Sequence, residues 1–198
     1  MRYLKYAVVA CGVIVLMVLH WNATAVPVHR LTTPSALIVN TATAPAPVKP
    51  QTIHPTGVLP DPAKTPGATN PDVTQANMAQ NICKSGWTDT VRPPDSYTTA
   101  LKVTQLAFGY NVGGDLKNGD YEEDHLISLQ LGGSPTDPAN LWPEPYTVLD
   151  ENGKLAGARQ KDVVETALKR RVCAGEISLS EAQAMIASDW YAVYLSTH

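Results

Sequence analysis

Ten of the sixteen prolines in this chain of 198 residues fall between residues 27 and 72. Proline fixes φ and removes a backbone N–H, so a segment this dense in it sustains neither helix interiors nor central strands. Residues 26–72 therefore read as a disordered linker rich in Pro, Ala and Thr, with local polyproline II conformation around Pro45-Ala46-Pro47 and Pro50. Its expected role is distance, holding a folded domain away from a membrane or cell wall. The foldable part, 73–198, is 126 residues long, enough for one hydrophobic core and too little for two. A large α/β enzyme, a barrel and a channel formed by this chain alone are excluded.

The N-terminus reads as a targeting segment. Arg2 and Lys5 precede the apolar run Tyr6–Leu19, and Ala23-Thr24-Ala25 fits the small-x-small cleavage pattern. Residues 1–25 are thus expected to be a secretory signal peptide, with Val26 as the first mature residue. The apolar run is short for a full membrane span, and an uncleaved anchor that tethers the chain is the alternative. Cys11 lies inside this run, which leaves Cys83 and Cys173 in the mature chain. Two cysteines in an exported protein suggest one disulfide between the start of the domain and its late helix.

Charge argues against tight non-specific binding to nucleic acid. The whole chain carries −3 formally, and residues 73–198 hold 10 basic against 16 acidic side chains. A local basic patch of Lys169, Arg170 and Arg171, with Arg159 and Lys161 on preceding turns, competes with a plain solvated helix face.

Periodicity and caps give an α+β, mostly helical small domain. Thr74 can cap a short helix ending near Cys83, and Ser96 or Thr98 can start another through TALKVTQLAF to Gly109, with Leu101, Gln105 and Phe108 on one face. Residues 111–119 are loop. Ile127, Leu129 and Leu131 alternate with Ser128 and Gln130, which predicts a half-buried strand over 126–131 ended by Gly132-Gly133. A second short strand is expected near 141–149 and a helix over about 159–172 with Val164, Leu168 and Val172 as its core stripe. Ser178 with Glu181 three residues on predicts a capped last helix, in which Trp190 is a core anchor.

The folded region contains two histidines. His198 ends the chain, whereas His125 follows Glu122, Glu123 and Asp124 and precedes the apolar run. The plain reading is an acidic loop with one stray histidine. The chemical reading sets a divalent-metal carboxylate beside a general base. Neighbours on an extended segment point to opposite faces, so both serve one site only where the strand is twisted or bulged.

The segment YEEDHLISLQLGGSPTDPANLWPEP resembles the core of the HNH, or His-Me finger, endonucleases: a D-H pair, a glycine pair and a following N-L. It is most similar to an exported bacterial subgroup. That subgroup also carries patterns like Cys83…Gly86-Trp87…Val91-Arg92-Pro93 before the core and Lys161-Asp162…Glu165, Val172-Cys173 and Asp189-Trp190 after it. The resemblance covers residues 73–195 and implies a ββα-metal core. His125 would then be the general base, Asp124 the metal-binding carboxylate, and Asn140 the asparagine that orients the histidine or pins the loop. The third position of the motif is usually a histidine or asparagine on the helix. Here residues 157–165 hold neither, and Asp162 or Glu165 would replace it, with Arg159 and Lys161 as phosphate contacts.

The implied activity is metal-dependent hydrolysis of DNA or RNA by a secreted or periplasmic protein, with Mg²⁺, or else Mn²⁺, as cofactor and no organic cofactor. The rival expectation is an inactive HNH-like fold that binds protein or cell-envelope material. A third is action on another phosphate ester or envelope polymer.

Overall fold

Residues 57–198 are described in the computed structural model and fall within one structural unit. The expected signal peptide and the linker up to residue 56 lie outside the described residues. The described part combines helices with a two-stranded antiparallel sheet, an α+β arrangement. Strand β1 is Tyr121–His125 and β2 is Leu141–Pro145, in a register that sets Tyr121 opposite Pro145 and His125 opposite Leu141. Four α-helices accompany the hairpin: α1 Trp87–Val91, α2 Asp95–Gln105, α3 Ala158–Cys173 and α4 Leu179–Leu195, the last kinked at Asp189.

The strand therefore comes before the apolar run, not within it, which corrects the expectation for 126–131. Leu126, Ile127, Leu129 and Leu131 are all buried, but so is Ser128, and Leu129–Leu131 form a single 3-10 turn. The reason is the side chain of Asn140. Its Oδ1 accepts the Ile127 N–H at 2.9 Å and its Nδ2 donates to the Ile127 carbonyl at 3.0 Å, so both ladder groups of Ile127 are satisfied by a side chain. A side chain that offers the backbone such partners competes directly with a sheet ladder.

Similar competition removes the expected helix over 74–83. Asn77 accepts from Thr74 N–H at 2.8 Å and donates to the Asp72 carbonyl, and Asn81 accepts from Ile82 N–H. Only one 3-10 turn, Met78–Gln80, remains. Helix α2 is present but hands over to a wider turn, Leu106–Tyr110, closed by Gly109 at φ 100°. That change of winding buries Leu106 and leaves Phe108 76% exposed, so Phe108 is not on the core face expected for it.

Helices α3 and α4 meet the expectation closely. Val164, Leu168 and Val172 pack with Leu179, Ala182, Ile186 and Trp190 in one core, and Trp190 is fully buried. Ser178 Oγ accepts from Glu181 N–H at 3.1 Å, which caps α4. Cys83 and Cys173 form a disulfide, which ties the segment before α1 to the end of α3 and is compatible with an extracellular protein.

The folded boundary is earlier than residue 73. Val58 is fully buried, Thr65 is 1% exposed, Gly67 N–H donates to the Ala139 carbonyl and Thr69 bridges to Gly133. Proline density kept this stretch out of helices and strands without keeping it out of the core. Among the described residues no helix is long and apolar enough to cross a membrane.

Candidate active site at the end of the hairpin

The site is organised by two buried side chains, Asn140 and Lys161. Asn140 is fully buried in the turn that leads into β2. Besides its two bonds to Ile127, it donates to the Ser134 carbonyl at 3.0 Å and accepts from Ala68 N–H at 3.3 Å. It thus pins the 126–134 loop; no hydrogen bond links it to the His125 ring. Gly133 completes the same close approach, since a Cβ there would lie 1.6 Å from the Ile127 carbonyl oxygen.

Lys161, in the first turns of α3, is 1% exposed and its ammonium sits among three oxygens. It lies 2.6 Å from Asp124 Oδ2, 2.6 Å from Glu165 Oε1, and donates to the His125 carbonyl at 2.9 Å. Glu165 is held further by the Ser128 hydroxyl at 2.7 Å. Burial alone would depress the Lys161 pKa, but Asp124, Glu165 and Glu144 outweigh it and hold the ammonium charged. Burial pushes the Glu165 pKa up, while Lys161 and Ser128 pull it back. Glu144 on β2 is fully buried; burial and then the Asp124 charge raise its pKa well above its ordinary value, with Lys161 opposing.

His125 ends β1 and is 6% exposed. Its Nε2 is 3.0 Å from the Pro135 carbonyl oxygen. A carbonyl only accepts, so Nε2 carries the hydrogen and Nδ1 is the acceptor of the neutral ring. Burial lowers the His125 pKa, with the Pro135 bond and Asp124 opposing, which leaves the ring neutral at pH 7.

Two hollows open on this histidine. One of ≈ 280 Å³ is walled by Arg92 and Lys102 at the two ends of the α2 region, by Glu122 and Glu123 of β1, and by Tyr146. The other, ≈ 90 Å³, takes in Asp124, Ser128, Gln130, Asp162 and Glu165. Arg92, Glu122 and His125 line both. The end of the strand therefore lets adjacent Asp124 and His125 border one hollow despite their opposite faces. Glu123 shares the His125 face, two residues back. Both its carboxylate oxygens are buried without a hydrogen-bond partner, and burial, against Lys102, raises its pKa to about 8.

Of the residues expected from sequence, Asp124, His125, Asp162 and Glu165 border the small hollow, while Asn140 acts behind it. Lys161 is no surface phosphate contact, and it does not belong to a basic patch, because its ammonium is consumed internally. Arg159 is exposed, pairs with Asp162 at 3.5 Å and lies 5.2 Å from the centre of the Tyr146 ring. The expected metal set does not fit as arranged. Asp124 and Glu165 each turn an oxygen onto Lys161, and Asp162 faces solvent beside Arg159. Among the described residues no group of three or more His, Cys, Asp or Glu side chains is placed to hold a metal ion.

Arg92, Lys102, Glu123 and Glu144 were not singled out as site residues from the sequence. Arg92 stood only in a pattern, and Glu123 and Glu144 gain their character from the β1–β2 register, which no spacing announces. Comparison of the chain with protein-family models, curated proteins and solved structures gave no match in any of the three.

Proposed function

We propose that this protein is an exported phosphodiesterase of the HNH-like kind, hydrolysing DNA or RNA at the hollow bordered by His125. The observation that supports this best is the His125 ring itself: neutral, fixed in one tautomer by the Pro135 carbonyl, and facing a polar hollow flanked by two cations. A neutral imidazole with one nitrogen anchored is suited to take a proton from an attacking water through the other. Arg92 and Lys102 would neutralise the phosphate and the charge that grows on it in the transition state. Glu123, protonated up to about pH 8, would give its proton to the leaving oxygen. Water then contributes hydroxide to phosphorus and a proton to Nδ1, the P–O bond breaks, and solvent returns both side chains to their starting states.

Within this reading β1, β2 and α3 are the ββα unit of the resemblance, and the proline-rich segment tethers an exported domain stapled by its disulfide. No step is assigned to a divalent ion, because its expected carboxylates are turned onto Lys161. That same feature favours the rival reading, a fold that binds envelope or protein partners without turnover.

The test incubates the purified protein with single-stranded DNA, duplex DNA and RNA, with Mg²⁺, with Mn²⁺ and with EDTA, beside His125→Ala. Cleavage by the wild type that His125→Ala loses by at least the ~10²-fold typical of a general base is the expected result. Equal cleavage by both proteins, or none by either, rejects it.

A further inference from the structure

We infer that Lys161 is a built-in cation: its ammonium occupies the place between Asp124 and Glu165 that a divalent ion would need, and closes that place to metal. The coordination carries the inference. One ammonium sits among three oxygens drawn from both sides of the site: it donates to the His125 carbonyl on β1 and to Glu165 Oε1 one helical turn along α3, and it ion-pairs with Asp124 Oδ2 on β1. At 1% exposure no solvent shares the ammonium.

A carboxylate pair brought this near a helix in a buried setting demands a positive charge. A surface lysine can leave its partner cheaply; this one cannot, since withdrawing it strands two carboxylates and a carbonyl. The ammonium also does something a free ion would do less directly. By holding the main-chain carbonyl of His125 it fixes the residue whose ring lines both hollows, so Lys161 is a positioning residue for the base. A phosphate entering the hollow would meet Arg92 and Lys102, while Lys161 stays on the protein side of Asp124.

The consequence is a reversed dependence on metal. Wild-type protein takes up no Mn²⁺ or Mg²⁺ at Asp124 and Glu165, and removing the lysine side chain creates the ion site that the intact protein lacks. The inference rests on the proposed hydrolysis only for its effect on turnover; its binding content stands apart.

The experiment titrates the full folded protein with Mn²⁺, reading calorimetric heat and the paramagnetic broadening of backbone amide resonances near residues 124 and 165, and repeats both on Lys161→Ala and Lys161→Arg. Expected are no saturable uptake and no localised broadening for the wild type and Lys161→Arg. Lys161→Ala should gain Mn²⁺ binding, seen also as a rise in its unfolding temperature, and should lose it again when Asp124→Asn is added. Saturable Mn²⁺ uptake by the wild type with broadening at 124 and 165 overturns the inference. So does a folded Lys161→Ala that ignores Mn²⁺. If Lys161→Ala is unfolded in EDTA, recovery of its amide dispersion in Mn²⁺ supports the inference, and failure to recover counts against it. Absence of nucleic-acid cleavage would overturn the proposed hydrolysis and leave these readings intact.

Discussion

At the scale of single residues, the site depends on what two side chains do to their neighbours' polar groups. Asn140 serves four backbone groups, on Ile127, Ser134 and Ala68. Truncating it leaves several buried partners unsatisfied at about 1–3 kcal/mol each, so Asn140→Ala is expected to lower stability by roughly 3 kcal/mol or more in urea unfolding. Loss below ~1 kcal/mol would mean that water replaces the amide. Glu123 gives a pH signature. The folded protein keeps its proton up to about pH 8 against an ordinary 4.5. Its stabilisation is thus complete below the unfolded value and is lost as pH rises through the folded one. Glu123→Gln should flatten the decline of stability between those limits; an unchanged slope would place the effect on Glu144 or Glu122. Asp124, His125 and Asn140 were legible as residue types in a pattern. The protonation of Glu123 was not, because it comes from burial that only the folded hairpin imposes.

At the scale of elements, α3 is joined to β1 by Lys161 and to α4 by apolar packing, and these two faces were unequally readable. The stripe of Val164, Leu168 and Val172 follows a helical period, and so its burial against Ile186 and Trp190 was evident from spacing. The polar face is not readable from local spacing. A lysine next to Asp162 and four residues before Glu165 looks like a solvated helix surface, and nothing local says that β1 will cover it. Lys161→Met should cost about 3–5 kcal/mol near neutral pH, the usual penalty for stranding buried charge. The cost should shrink near pH 4, where the stranded carboxylates can take up protons; unfolding curves at both pH values check this. The strand was misplaced for a related reason. Apolar alternation over 126–131 is real, but the Asn140 amide, distant in sequence, takes the backbone partners of Ile127 and ends the ladder at His125.

At the scale of the whole molecule, proline density places the start of the folded domain too late in the chain. Residues 57–72 help close the site's rear: Val58 and Thr65 sink into the domain, and Ala68 N–H reaches Asn140. A chain beginning at residue 73 should therefore be less stable than one beginning at 57, by the ~1.5–3 kcal/mol of losing a buried valine and more for the exposed Asn140 bonds; equal urea midpoints would return this stretch to the linker. The central claim is that His125, neutral and anchored through Nε2, is the base of a phosphodiesterase. Its most direct test is the rate of nucleic-acid cleavage from about pH 5 to pH 9 by the wild type and by His125→Ala. The rate should rise through a pKa below the ordinary 6.5 of histidine and fall near the value of about 8 that belongs to Glu123. His125→Ala should lose the activity and with it the rising limb. A wild-type rate with no such rising limb, or a His125→Ala protein that cleaves as fast, would contradict it.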